Sequence, residues 1–268
     1  MRLFLASSRP GPGSRALADL VVAGARVAVV ANALDNLIDF PRAEWVDEER
    51  RMLATVGLSA FELDLRAYYQ RPGGLVGALA EVGLVWITGG NVFVLRDALR
   101  RSQLDRLLTD RVRDGRLAYG GCSAGACVSG PTLRGLELVD DVSAVVNPVW
   151  DGLGLVDFCI APHHRSAQPE NRAIQEVVEY FRATGLHYRA LRDGQAIVVR
   201  DGTARIVDTE RSSWLACGPR ASHPGSTKTG REALALRLLQ SRQIARCVPG
   251  LRCLRRGLAL MDGATAGC

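Results

Sequence analysis

A chain of 268 residues is long enough for one large α/β domain with a substantial core. Its formal net charge of +6 is uneven: residues 211–268 hold ten of the 34 basic residues but two of the 28 acids, leaving 24 basic against 26 acidic residues in 1–210, so no nucleic-acid surface is expected of the body and any polyanion contact belongs to the tail. Seven cysteines without a C-x-x-C pair argue against a disulfide frame or a zinc site, and neither a secretion signal nor an apolar run of membrane-spanning length is apparent, so a cytoplasmic protein with free thiols is expected.

The apolar run Leu3 to Ala6 predicts a first strand, and Ser14 a cap for a helix reaching Ala23. Residues 26–32 form a β-branched run of the kind found in strands buried on both faces of a parallel sheet. Pro41 opens a helix whose apolar positions Trp45, Met52, Leu53 and Val56 recur at helical spacing up to Gly57. Residues 60–65 alternate as a half-buried strand, 75–81 suit a short helix, and 84–88 form another buried strand that stops at Gly89-Gly90-Asn91. One or two helices are expected over 92–113, a strand over 158–161 ending in Pro162-His163-His164, and a helix over 169–184. Two apolar runs around Asp201-Gly202 predict a hairpin over 196–207. Strands alternating with helices imply a doubly wound, mostly parallel α/β sheet with helices on both faces, whose site lies beyond the carboxyl ends of the strands. After Asp208 the composition shifts to Pro, Gly, Ser and Arg, with one amphipathic run over 232–244. The expected organisation is therefore an α/β domain over 1–208 and a basic C-terminal extension over 209–268, which is disordered, partner-binding, or a translated segment not under selection for folding.

The chemistry centres on Gly120-Gly121-Cys122-Ser123-Ala124-Gly125-Ala126, a small-residue turn between a short apolar run and a helix-compatible run. A strand reversing into a helix strains its apical residue and needs almost no side chain around it. Ser123 has glycine two positions away on both sides, so it is read as the nucleophile of a nucleophile elbow, with the amide of Ala124 as half of an oxyanion hole. A turn slipped by one residue would present Cys122 instead. Of the four histidines, the pair His163 and His164 is best placed as the base, and the acidic cluster between nucleophile and base offers Glu137, Asp140 and Asp141 as its orienting acid.

Four segments in order and spacing give the chain a resemblance to a known family. They are Thr88-Gly89-Gly90-Asn91-Val92-Phe93; Gly121 to Ala126 continuing to Gly130-Pro131-Thr132-Leu133-Arg134; Leu153-Gly154-Leu155 leading to Pro162-His163; and the terminal hairpin. Over roughly residues 1–208 they resemble the peptidase E group, the S51 serine peptidases, which are similar to class I glutamine amidotransferases (flavodoxin-like) with serine in place of cysteine. The resemblance implies Ser123 as nucleophile, His163 as general base because the family's histidine directly follows proline, and the amides of Gly90 and Ala124 as the oxyanion hole. The family's aspartate falls at or beside Leu138, so Glu137 is the expected acid, with Asp140 second. It implies hydrolysis of short peptides through an acyl-enzyme, N-terminal aspartyl dipeptides being favoured substrates and β-aspartyl links those of the cyanophycinase branch. It calls for no cofactor, no metal and no membrane, and leaves room for a homodimer. Two readings compete with it: an amidotransferase-like hydrolase using Cys122 or an ester substrate, and a catalytically silent binding protein of the same fold.

Overall fold

The computed structural model describes residues 1–209 apart from Pro12, Gly13, Ala23, Pro72 and residues 168–170; the expected extension beyond Thr209, with its helix over 232–244, lies outside the described residues. From the amino terminus, β1 (Arg2–Ala6), α1 (Arg15–Ala18), β2 (Arg26–Val30), α2 (Arg42–Ala54), β3 (Ser59–Glu62), α3 (Gly74–Ala78) and β4 (Val82–Ile87) alternate as the sequence predicts. They are followed by α4 (Val92–Ser102), α5 (Leu104–Arg113), β5 (Ala118–Cys122), α6 (Ala124–Cys127), β6 (Cys159–Ala161), α7 (Asn171–Ala183), β7 (Tyr188–Ala190), β8 (Gln195–Arg200) and β9 (Thr203–Asp208).

Seven strands form one sheet in the order β3-β2-β4-β5-β1-β8-β9. The first five are parallel; β8 runs antiparallel to β1, and β9 antiparallel to β8. Strand side chains alternate between faces, so each strand feeds two cores. Leu3, Leu5, Val85, Ile87 and Tyr119 pack on one side with α4, α5 and α7. Phe4, Ala6, Leu84, Trp86 and Cys122 pack on the other with α1 and α2. With both faces covered, the near-continuous apolar runs of β1, β2 and β4 have a physical reason.

Two details differ from the sequence reading, and a third decides between the alternatives it left open. The helix after Ser14 ends after one turn, and the Ser14 side chain makes no capping bond. The run 92–113 splits into two helices at Gln103, whose φ of 61° is left-handed. The strand before His163 does not join the main sheet: β6 pairs in parallel with β7, which the sequence reading did not expect. The reason is occupancy, since β5 already lies between β4 and β1, and β8 takes the other edge of β1. Residues between α6 and β6 fold back on the nucleophile's helix instead, with Leu153 N–H donating to Val128 C=O at 2.8 Å and Leu155 N–H to Ser129 C=O at 2.9 Å.

Candidate active site

Ser123 lies at the carboxyl end of β5, the middle strand of the sheet, at φ 51° and ψ −116°. A left-handed backbone at a side-chain-bearing residue costs roughly 1–3 kcal/mol and persists only where its surroundings enforce it. Here the flanking glycines let the chain close on itself. A Cβ at Gly121 would lie 2.5 Å from Gly125 O, and one at Gly125 would lie 2.2 Å from Ile87 O. The Tyr119 hydroxyl donates to Gly125 C=O, and Ser123 N–H donates to Ala6 C=O at 3.1 Å. The apex is therefore held from both neighbouring strands.

The alternative register through Cys122 meets a different environment. Cys122 is the last residue of β5, is 3% exposed and packs into the core on the α1 and α2 side. Burial pushes its thiol up to about 12, aided by the charge of Glu49 and opposed by Arg9 and by the Gly89 backbone. Such a thiol is neutral and inert at neutral pH.

His163 follows β6 through Pro162 and, at φ 55°, is also left-handed. Its Nε2 lies 3.1 Å from Ser123 Oγ, and its Nδ1 lies 2.6 Å from Asp193 Oδ1. The main-chain N–H of His163 donates to the Ser7 hydroxyl at 2.7 Å. His164 turns elsewhere, its N–H donating to Leu191 C=O at 2.8 Å. Burial, followed by the positive charges of Arg165, Arg192 and Arg182, lowers the His164 pKa.

Partial burial works against ionisation of Asp193, but the hydrogen bonds from His163, Ser7 and Ser166 and the charge of His163 outweigh it, so its pKa falls below the ordinary 3.8. A carboxylate ionised in this position fixes the His163 proton on Nδ1 and leaves Nε2 with a lone pair facing the Ser123 hydroxyl.

The three acids expected from sequence do not reach His163. Glu137 folds back on its own turn, where it accepts Gly135 N–H at 2.6 Å. Asp140 accepts Val92 N–H at 2.8 Å, at the start of α4. Asp141 accepts the N–H and hydroxyl of Ser143 at 2.9 and 2.6 Å. These short acidic side chains satisfy backbone donors that nearby turns and a helix N-terminus leave open, and that local demand decides their direction. The corrected partner, Asp193, comes from the loop between β7 and β8, after His163 in the chain. Its topological signal depends on the pairing of β8 with β1, which the sequence does not announce. A strand that pairs antiparallel with a parallel sheet starts at the carboxyl edge, so the loop before the predicted hairpin opens beside the nucleophile.

Gly89-Gly90 completes the surroundings of Ser123. A Cβ on Gly89 would lie 3.2 Å from Ser123 Cβ, which shows how closely this turn presses on the nucleophile. Gly90 has φ 138°, and a Cβ there would lie 2.5 Å from Ala33 O. Ala124 opens α6, where the first N–H groups have no partner within the helix. Among the described residues no three His, Cys, Asp or Glu side chains converge as a metal site requires, and no helix is long and apolar enough to cross a membrane.

Known proteins with similar sequences and folds agree with this architecture. The profile of peptidase family S51 matches residues 19–207. An uncharacterized peptidase of Listeria innocua is 30% identical over 159 residues, covering 59% of this chain and 73% of its own length. One from Listeria monocytogenes is 29% identical over 157 residues, covering 58% and 74%. The crystal structure of a Listeria monocytogenes protein assigned as a peptidase E superposes with a TM-score of 0.64 at 25% identity, covering 78% of this chain and 98% of that one. A peptidase from an acI-B1 actinobacterium shares the fold at a TM-score of 0.59 and 18% identity, covering 77% and 87%. With more than half of its length matched, the chain belongs to peptidase family S51, and by that membership it is a peptidase.

Proposed function

We propose that this peptidase is of the serine type and cleaves short peptides through an acyl-enzyme on Ser123, with His163 as general base and Asp193, rather than Glu137, as the acid that orients it. The observation that carries the reading is the continuous contact from Ser123 Oγ to His163 Nε2 and from His163 Nδ1 to Asp193. His163 Nε2 takes the Ser123 proton as Oγ attacks the scissile carbonyl carbon, and the developing oxyanion turns toward the amides of Gly90 and Ala124. The proton on Nε2 then passes to the leaving amine as the C–N bond breaks. Water, deprotonated by the same nitrogen, attacks the acyl ester, frees the carboxylic acid and restores the Ser123 hydroxyl.

The substrate class is a small peptide, with N-terminal aspartyl dipeptides the first to be tested because the family likeness favours them. A dipeptide library with the purified protein, paired with a fluorophosphonate probe and iodoacetamide, tests the reading. Fluorophosphonate labelling should fall on Ser123, vanish in Ser123→Ala together with hydrolysis, and persist in Cys122→Ala. Hydrolysis that survives Ser123→Ala, or disappears in Cys122→Ala, overturns it.

A further inference from the structure

Ser7 takes no part in the steps above, yet it is wholly buried beside them. Its hydroxyl oxygen accepts the main-chain N–H of His163 at 2.7 Å. Its single proton has two acceptors in reach, Asp193 Oδ1 at 3.2 Å and Leu191 C=O at 3.3 Å. With the His163 Nδ1 to Asp193 Oδ1 contact of 2.6 Å, a closed ring results: His163 N–H to Ser7, Ser7 to Asp193, and the His163 imidazole to the same carboxylate oxygen. The ring fixes both ends of His163, its backbone and its imidazole, against one point.

The position of that point matters. The nucleophile stands on the seven-stranded sheet, whereas His163 follows the separate β6-β7 pair, so their register is not set by any shared strand pairing. Ser7 directly follows β1, the strand beside β5, and its own N–H donates to Gln195 C=O at 2.9 Å. It is therefore fixed to the same sheet as the nucleophile. His163 carries a left-handed backbone at φ 55°, a conformation that needs its amide held from outside.

We infer that Ser7 is a positioning residue of the peptidase site, its hydroxyl locking the His163–Asp193 pair, which hangs on the small β6-β7 sheet, to the main sheet that carries Ser123. The inference rests on the serine-peptidase reading, but its test reads the histidine directly. Misplacement of a catalytic group by about 1 Å costs on the order of a hundredfold in rate. Ser7→Ala should therefore lower kcat by about that factor, with KM within roughly threefold of the parent.

A purely structural serine could also lower the melting temperature, so two further comparisons isolate the hydroxyl. Ser7→Thr and Ser7→Val have the same shape and differ only in that group; Thr should retain at least tenfold more turnover than Val. The low-field NMR resonance of the His163 Nδ1 proton, identified by its loss in Asp193→Asn, should shift or broaden in Ser7→Val and stay in Ser7→Thr. Equal turnover of the Thr and Val variants together with an unmoved resonance overturns the positioning role. Failure of the serine-peptidase reading would instead appear as unchanged hydrolysis in Ser123→Ala, which leaves the NMR comparison readable.

Discussion

In the proposed mechanism Asp193 decides how His163 works, because an ionised acceptor on Nδ1 selects the tautomer that can take a proton from Ser123. Replacing it by asparagine keeps the shape but removes the acceptor charge, so Asp193→Asn should lower kcat by roughly 10⁴-fold. Glu137→Gln, whose carboxylate serves only its own turn, should stay within about tenfold of the parent, about 1.4 kcal/mol on the barrier. Both are to be measured on one dipeptide with folding checked by circular dichroism. An inactive Glu137→Gln beside an active Asp193→Asn would return the acid to the loop before β6. Asp193 also links the site to acid stability. Its folded pKa lies below the unfolded value of about 3.9, so its contribution is present above that pH and lost as pH falls through the folded value. Denaturant titrations should show Asp193→Asn losing less stability than the parent between neutral pH and the acid range below about 4. Asp64, held down to about 2 against the opposing effect of burial by hydrogen bonds from Arg66 and Asn32 and by the charge of Arg42, titrates in the same direction, so only the difference between the two proteins isolates Asp193.

At the scale of elements, the elbow was legible in sequence because its requirement is local: two glycines around one serine, between an apolar run and a helix. The strands β1, β2 and β4 were legible for the same reason, as apolar runs too continuous for a one-sided sheet. What could not be read was partnership. Whether a short run such as Cys159-Ile160-Ala161 joins the main sheet depends on which edges other strands already occupy, and β7, at three residues, carries too little pattern to announce itself. The acid was missed through the same gap, since Asp193 reaches His163 only once β8 is known to lie beside β1. Another such long-range contact is Glu49 on α2, fully buried, which accepts Arg9 Nε–H at 2.8 Å and Trp86 Nε1–H at 2.9 Å. It joins a helix, the loop after β1 and the carboxyl end of β4. Glu49→Ala would leave the largely buried Arg9 with the exposed Glu48 as its remaining ion-pair partner, beside its stacking on Trp45, and Trp86 Nε1 without the acceptor it has here. It should therefore cost roughly 3–5 kcal/mol by chemical denaturation, while Glu48→Ala changes stability by less than about 1 kcal/mol. Equal effects of the two would mean that the buried pair contributes no more than the exposed one.

For the whole molecule, the candidate site residues all lie within the described residues, 1–209, as do the nine strands described and the two cores that flank the main sheet, and the family match ends at residue 207. The last described contact is the buried Thr209, whose N–H donates to Gly194 C=O at 2.7 Å, one residue beyond Asp193. That bond closes the loop carrying the acid, so a chain ended after Thr209 keeps it, while one ended before β9 does not. The charge divides at nearly the same place. Residues 1–209 carry 24 basic and 25 acidic residues, because residue 210 is a glutamate, against +6 for the full chain. A protein ended after Thr209 should thus hydrolyse the same dipeptide with kcat/KM within about twofold of the full chain, while losing retention on a polyanionic column at low salt. Retention of the full chain should fall steeply between about 50 and 200 mM salt, as counterion release by a basic segment requires. Loss of hydrolysis on shortening would make residues 210–268 part of the peptidase itself, and unchanged retention would place the polyanion-binding surface on the sheet domain despite its near-neutral charge.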